Sequence, residues 1–221
     1  WGRAQVVVLL VSASTWVACA VGFSLPIFVG GSAERVVVGC ADEVDNCTVG
    51  HVLDADAKCA QGKGMQWTYA QGGRSVASEW DLICHRAFML PMVETAFFLG
   101  GLCGNVFLSC LIDSHGRVPC ACFFSCLGTV CSVLCALSSS FRVYLVGRFG
   151  LGVAQAVSSS AAWLVCCEVT DANHASTVML AMNSAWSFGL AAFVPAALWL
   201  PQWRPLTLVH AVVFVIVSCA W

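Results

Sequence analysis

Six long apolar tracts constrain the fold of this chain more strongly than any other feature. They cover residues 5–29, 87–112, 118–138, 143–165, 177–200 and 206–221. The first five reach the roughly 20 residues that a helix needs to cross hydrocarbon, and the sixth runs into the end of the sequence. Lipid cannot satisfy free backbone amides and carbonyls, and the tracts lack the alternating pattern of outer-membrane strands. Each tract is therefore predicted to be a transmembrane helix of an all-α membrane protein.

The distribution of charge supports the same prediction. Charged residues make up 10% of the 221 positions and apolar residues 59%, a balance outside that of ordinary soluble domains. Eight of the 12 acids and five of the 10 bases lie within residues 34–86, so the tracts themselves are nearly uncharged. A net charge of −2 without a basic stripe excludes nucleic acid as a partner. The expected surroundings are a lipid bilayer that the chain crosses several times, and the expected location is the plasma membrane.

The polar block divides the chain into three predicted parts. Residues 1–30 form the first transmembrane helix, residues 31–86 a large extracellular loop, and residues 87–221 helices two to six. The first tract is too long for the apolar part of a secretory signal, and the chain does not begin with Met. Because the chain starts at Trp1 and ends at Trp221 inside a helical tract, we expect a fragment of a longer protein.

The polar loop carries four cysteines at irregular spacing. Four cysteines in such a loop predict two disulfides, and hence an oxidising, extracellular compartment, with the pairing left open. A zinc site would need pairs of ligands at short spacing, which these residues lack. A glycosylation sequon beginning at Asn46 agrees with an outside location. The predicted disulfide residues are Cys40, Cys47, Cys59 and Cys84. The other eleven cysteines lie mostly in the apolar tracts and are interpreted as packing residues.

The short connection between the second and third tracts carries a recognisable motif. Residues 109–119 read SCLIDSHGRVP, and they resemble the signature loop of the major facilitator superfamily, Gly-x-Leu-x-Asp-Arg-x-Gly-Arg-Arg/Lys. Three family residues are replaced, by Ser109, Ser114 and Val118, so the cytoplasmic charge network of the family is expected to be weaker. The matching residues are Leu111, Asp113, Gly116 and Arg117.

Further motifs narrow the resemblance. The fourth tract carries Arg148 and Gly152, followed by Glu168, in the arrangement of the superfamily's fourth helix. The strings SEWDLIC at residues 78–84 and WRPLTL at residues 203–208 resemble the organic cation, organic anion and carnitine transporters of solute carrier family 22. The resemblance implies a twelve-helix major facilitator fold of which this chain supplies the amino-terminal six helices. It also implies alternating-access transport of small organic ions, with the missing carboxy-terminal six-helix half as partner.

Departures from the family leave the substrate open. Glu94 stands where the family often has Gln, and Ala156 where cation carriers have Lys. Glu94 and Arg148 lie at similar depth, about 10 Å below the outer boundary at roughly 1.5 Å of rise per residue. They are hypothesised to form an intramembrane ion pair, and the alternative is that Glu94 faces a cavity and attracts a cation. The candidate substrate-cavity residues are Glu94, Gln155, Trp163, Asn183 and Trp186.

Other classes of function were weighed against transport. No nucleophile–base constellation is present, and the five histidines lack metal-ligand spacing, so no enzyme activity, catalytic residue, metal or cofactor is expected. A membrane receptor or scaffold that keeps the carrier fold without transporting is the main alternative, because the signature loop is eroded. A sugar-type carrier of the same superfamily is disfavoured by the long cysteine-bearing loop.

Overall fold

The computed structural model describes residues 2–30, 35–40, 65–69 and 75–221. Six helices in these ranges are long and apolar enough to cross a membrane. They begin and end within a few residues of the predicted tracts, because sustained apolar length is a local property of the sequence. The six helices are α1 (Arg3–Val29), α3 (Met89–Phe107), α5 (Arg117–Ala136), α6 (Phe141–Val169), α7 (Ala175–Trp199) and α8 (Trp203–Ala220).

Shorter elements occupy the connections. A four-residue helix, α2 (Val76–Glu79), precedes the second long helix, and α4 (Ser109–His115) follows it. Single 3-10 turns span Cys84–Arg86 and Ala172–His174. We call the end of the bundle that carries the 31–86 segment the loop end, and the end that carries the 109–119 connection the signature end.

The 31–86 segment contains a small β-hairpin that the sequence analysis did not predict. Strands β1 (Arg35–Cys40) and β2 (Met65–Tyr69) pair antiparallel, with a bulge between Val37 and Gly39. Valines in the first strand favour extended backbone. The predicted glycosylation of Asn46 and the predicted cysteines 47 and 59 lie outside the described residues, as do the side chains of Cys40 and Cys84. The two disulfides therefore stay predictions.

Helix α6 lies at the centre of the bundle, packed against α3 and α5 and contacting α1. Helix α7 packs on α1, and α8 packs on α1 and α5. Where α3 crosses α6, a Cβ added to Gly152 would overlap the carbonyl oxygen of Phe97, and one added to Gly100 would overlap that of Phe149. The two backbones therefore touch directly, which is how small residues hold transmembrane helices together.

The buried cysteines of the long helices behave as packing residues. The eleven cysteines whose side chains are described are all free thiols. Cys131 and Cys135 lie buried on α5, and their sulfur atoms fill the space left by Gly150 and Gly147 of α6. Thiols in apolar surroundings act as small hydrophobic groups. This agrees with the interpretation made from the sequence.

Candidate functional site

A chain of aromatic rings runs along the face formed by α1, α3, α6 and α7. The ring centroid of Trp16 lies 6.1 Å from that of Trp163 and 6.1 Å from that of Trp186. Trp186 lies 5.6 Å from Phe23, and Phe23 lies 5.9 Å from Phe98. These separations fall within the range in which tilted and edge-to-face aromatic pairs attract each other. The rings form one continuous row, which we call the aromatic row.

Two cavities open beside the aromatic row and share Ser159 in their walls. The larger, about 580 Å³, is lined by Trp16, Trp163 and Asn183, and the smaller, about 170 Å³, by Gln155 and Trp186, among others. The structure thus brings four of the five predicted cavity residues together. Trp16 and Phe23 of α1 were missed, although a tryptophan in the middle of an apolar tract, away from its interfacial ends, is a usable signal.

Gln155 is held by the backbone of α1. Its Nε2 donates hydrogen bonds of 3.1 Å to the carbonyl oxygens of Ala18 and of Cys19. The side chain is 5% exposed, so the donors that face α1 are satisfied inside the bundle. Gln155 therefore joins α6 to α1 at the wall of the smaller cavity. Both hydrogen bonds of its amide nitrogen go to the α1 backbone.

Arg148 is completely buried at the α1–α3–α6 junction. Its Nη1 donates to the carbonyl oxygen of Gly22 at 3.4 Å, and its guanidinium carbon lies 4.7 Å from the centroid of the Phe97 ring. Among the described residues, no ion pair within 4.0 Å joins it to Glu94. The hypothesised direct ion pair is therefore not formed in this structure, and Glu94 instead lines a third cavity at the loop end.

A buried histidine adds a polar link that the sequence analysis did not single out. His210 of α8 is fully buried, with its Nδ1 2.9 Å from Ser132 Oγ of α5 and its Nε2 3.3 Å from the carbonyl oxygen of Ala18 of α1. A carbonyl oxygen can only accept, which assigns the proton to Nε2 and leaves Nδ1 to accept from the serine hydroxyl. The Ala18 carbonyl oxygen therefore receives donors from both α6 and α8.

The signature end is held by charges from three helices. Arg117 Nε at the start of α5 lies 2.6 Å from Glu168 Oε1 near the end of α6, and Arg117 Nη2 lies 3.7 Å from Asp113 Oδ1 of α4. The Nε–H does not point along a hydrogen-bond direction, so the close contact is an ion pair rather than an aligned hydrogen bond. A network of two ion pairs therefore persists although three signature residues are replaced.

Two other signature residues have structural roles. Gly116 separates α4 from α5 with a φ of +94°, a conformation that glycine adopts without steric cost. Leu111 packs in an apolar cluster between α4, α5 and α6, where its carbonyl oxygen accepts from the thiol of Cys120 at 3.3 Å. The tight connection at the signature end thus follows from one glycine and one partly buried leucine.

At the loop end, the segments 78–84 and 203–208, which both resemble solute carrier family 22, contact each other. Glu79 of α2 accepts a 2.5 Å hydrogen bond from Trp203 Nε1 and forms an ion pair with Arg204. Arg204 also donates to the carbonyl oxygens of Ala136 and Ser138, at 2.9 and 2.8 Å. We call this set of contacts the loop clamp, because it fixes α2 to the ends of α5 and α8.

These features define a class: a multi-pass membrane protein whose six apolar helices pack as a major facilitator bundle. Residues 53–198, more than half of the chain, match the profile of the family described as "Sugar (and other) transporter". The chain belongs to that family, and the fold class predicted from the sequence is confirmed.

Individual relatives agree with the narrower resemblance. Solute carrier family 22 member 2 of Oryctolagus cuniculus is 30% identical over 146 residues, 64% of this chain and 26% of the relative. Solute carrier family 22 member 1 of the same species is 25% identical over 171 residues, 77% of this chain and 30% of the relative. Organic anion transporter 3 of Sus scrofa is 30% identical over 149 residues, 67% of this chain and 27% of the relative. The predicted resemblance to solute carrier family 22 is confirmed, and the chain matches less than a third of each relative's length.

Proposed function

We propose that this chain is the amino-terminal half of a carrier that moves small organic ions across the plasma membrane by alternating access. The observation that carries the proposal is the aromatic row, which lies beside two cavities on one face of the bundle. In carriers built from two related bundles, the substrate site lies near the bilayer midplane between the halves. The face that bears the aromatic row is the proposed half of that site.

The chemistry of the aromatic row suits organic ions. Aromatic faces carry negative charge density, so each ring attracts an organic cation by about 0.5 to 2 kcal/mol, depending on its desolvation. The same faces stack on flat organic anions. Asn183 in the larger cavity adds a polar side chain that can orient a bound group. The aromatic row therefore supports a site for small ions with organic substituents. The row does not decide whether the substrate is a cation or an anion.

The two ends of the bundle fit a rocking mechanism. At the signature end, Arg117 of α5 forms ion pairs with Glu168 of α6 and Asp113 of α4, and these pairs are partly exposed. At the loop end, the loop clamp joins α2, α5 and α8. Networks of this kind let a six-helix bundle move as one body against a partner bundle. The proposed partner is the carboxy-terminal six-helix half.

Tracer uptake by cells that express the full gene product tests this proposal. Three labelled probes cover the substrate class: a quaternary ammonium ion, an aromatic carboxylate, and a zwitterion that carries both groups. We expect saturable uptake of at least one probe. Surface expression and probe binding without uptake of any probe would instead support the second candidate, a receptor or scaffold that retains the carrier fold.

A further inference from the structure

A cavity of about 440 Å³ lies at the loop end between α1 and α3, apart from the aromatic row. Its walls are mostly apolar, formed by residues such as Pro26, Leu90 and Val93. Val76 of α2 also lines it, so the loop clamp that fixes α2 also fixes part of this wall. The cavity therefore has a defined shape rather than a wall made of a free loop.

Two polar side chains face this cavity without a direct partner. Glu94 is half-buried in its wall, and no ion pair of the described residues includes it within 4.0 Å. Tyr144 is fully buried in the same wall, and its hydroxyl has no hydrogen-bond partner in the described part of the chain. A carboxylate in the wall of an otherwise apolar cavity is typical of a small-molecule site.

The nearest buried base does not neutralise Glu94 by contact. Arg148 donates to the carbonyl oxygen of Gly22 and lies over the face of Phe97, and it acts on Glu94 only from beyond 4.0 Å. A carboxylate at this depth is costly unless a positive charge compensates it. Arg148 compensates Glu94 only in part and from a distance, so a cation in the cavity would supply the positive charge that contacts this carboxylate.

We propose that this cavity binds an organic cation, with the Glu94 carboxylate as counter-ion and the apolar walls around the organic substituents. The proposal rests on the proposed transport function and adds to it a second, separate site at the loop end. An organic anion is repelled by Glu94, and a hard inorganic cation needs about six oxygen ligands, which these walls do not supply.

Equilibrium binding of radiolabelled tetraethylammonium to the purified full-length gene product is the first test. We expect Glu94→Gln to weaken binding by roughly tenfold, the change expected when one partly desolvated ion pair is lost. Glu94→Asp keeps the charge and should retain most of the affinity. Asp171→Asn removes an exposed acid from the connection between α6 and α7 and serves as the matched control, with wild-type affinity expected.

A second measurement tests whether the cavity is negatively charged, and it needs no substitution of Glu94. Ile27 lines the cavity and is 71% exposed, so Ile27→Cys places a reactive thiol at its mouth. A trimethylammonium methanethiosulfonate should modify this position several times faster than the sulfonate reagent of similar size, and tetraethylammonium should slow the reaction. Peptide-resolved mass spectrometry separates position 27 from the native cysteines.

The possible failures can be told apart. If the wild type takes up organic ions but Glu94→Gln binds tetraethylammonium as tightly as Asp171→Asn does, the loop-end site is refuted and the transport function stands. Equal rates for the two thiol reagents at position 27 refute the site as well. If the wild type neither binds nor takes up any organic ion, both proposals fall.

Discussion

Glu79 Oε2 and Trp203 Nε1, 124 positions apart in the sequence, are joined by a hydrogen bond of 2.5 Å. The bond connects a four-residue helix of the loop to the first residue of the last long helix. Trp203 also packs against Trp80 and Tyr144, with ring centroids 5.4 and 5.5 Å away. The strings SEWDLIC and WRPLTL, which look like separate family motifs in the sequence, therefore contact each other in the structure.

The loop clamp predicts a ranked loss of stability. Glu79→Gln removes a partly exposed ion pair, and the expected loss is about 1 kcal/mol or less. Arg204→Ala should cost more, because the carbonyl oxygens of Ala136 and Ser138 also lose their donors. Thermal melting of the detergent-purified full-length protein measures both. Arg142→Ala, an exposed base at the same end, is the control and should melt like wild type. Equal melting of all three variants would contradict this account of the clamp.

The ion pair between Arg117 and Glu168 predicts that reversing both charges restores part of the uptake that reversing one of them removes. Arg117→Glu should lower tracer uptake several-fold, because it places three acids together at the ends of α4, α5 and α6. Adding Glu168→Arg restores the opposite charge and should recover part of the uptake, although Asp113 then faces a like charge. Uptake and surface expression are measured together. A double variant no better than Arg117→Glu alone would show that the contact has no part in transport.

The α3–α6 crossing predicts a sharp contrast between two glycines. Gly152→Ala places a methyl group against the carbonyl oxygen of Phe97, so the helices must separate, at a cost of about 1–3 kcal/mol. Gly101→Ala at the same crossing meets its nearest atoms at 3.8 and 3.9 Å, which is ordinary contact. Size-exclusion chromatography should show a loss of monodisperse protein only for Gly152→Ala. Equal yields from the two variants would mean that the helices are not packed this closely.

The long helices were predictable because each depends on a property of contiguous sequence. A run such as residues 118–138 is apolar over its whole length, and the structure places α5 at Arg117–Ala136. The hairpin of β1 and β2 was not predictable in the same way. Its strands lie 24 residues apart, and nothing in the intervening sequence specifies their pairing.

The candidate site was predicted in part. Trp163 and Trp186 were predicted from resemblance and residue type, and the structure places both in the aromatic row. The Glu94–Arg148 pair failed for a geometric reason. Rise per residue gives the depth of a side chain in a helix, but the direction in which it points depends on how the helices pack. Arg148 contacts the carbonyl oxygen of Gly22 in α1 and the ring of Phe97 rather than the Glu94 carboxylate.

The proposed role of the aromatic row is tested by initial-rate uptake of labelled organic ions in cells that express the full gene product as wild type, Trp16→Leu or Trp199→Leu. Trp16 joins two rings of the aromatic row, whereas Trp199 is 87% exposed at the end of α7. We expect saturable wild-type uptake, about a tenfold loss in Trp16→Leu from the removed ring contacts, and near-normal uptake in Trp199→Leu. Wild-type protein that reaches the cell surface without taking up any organic ion, or equal uptake by the two variants, would contradict this expectation.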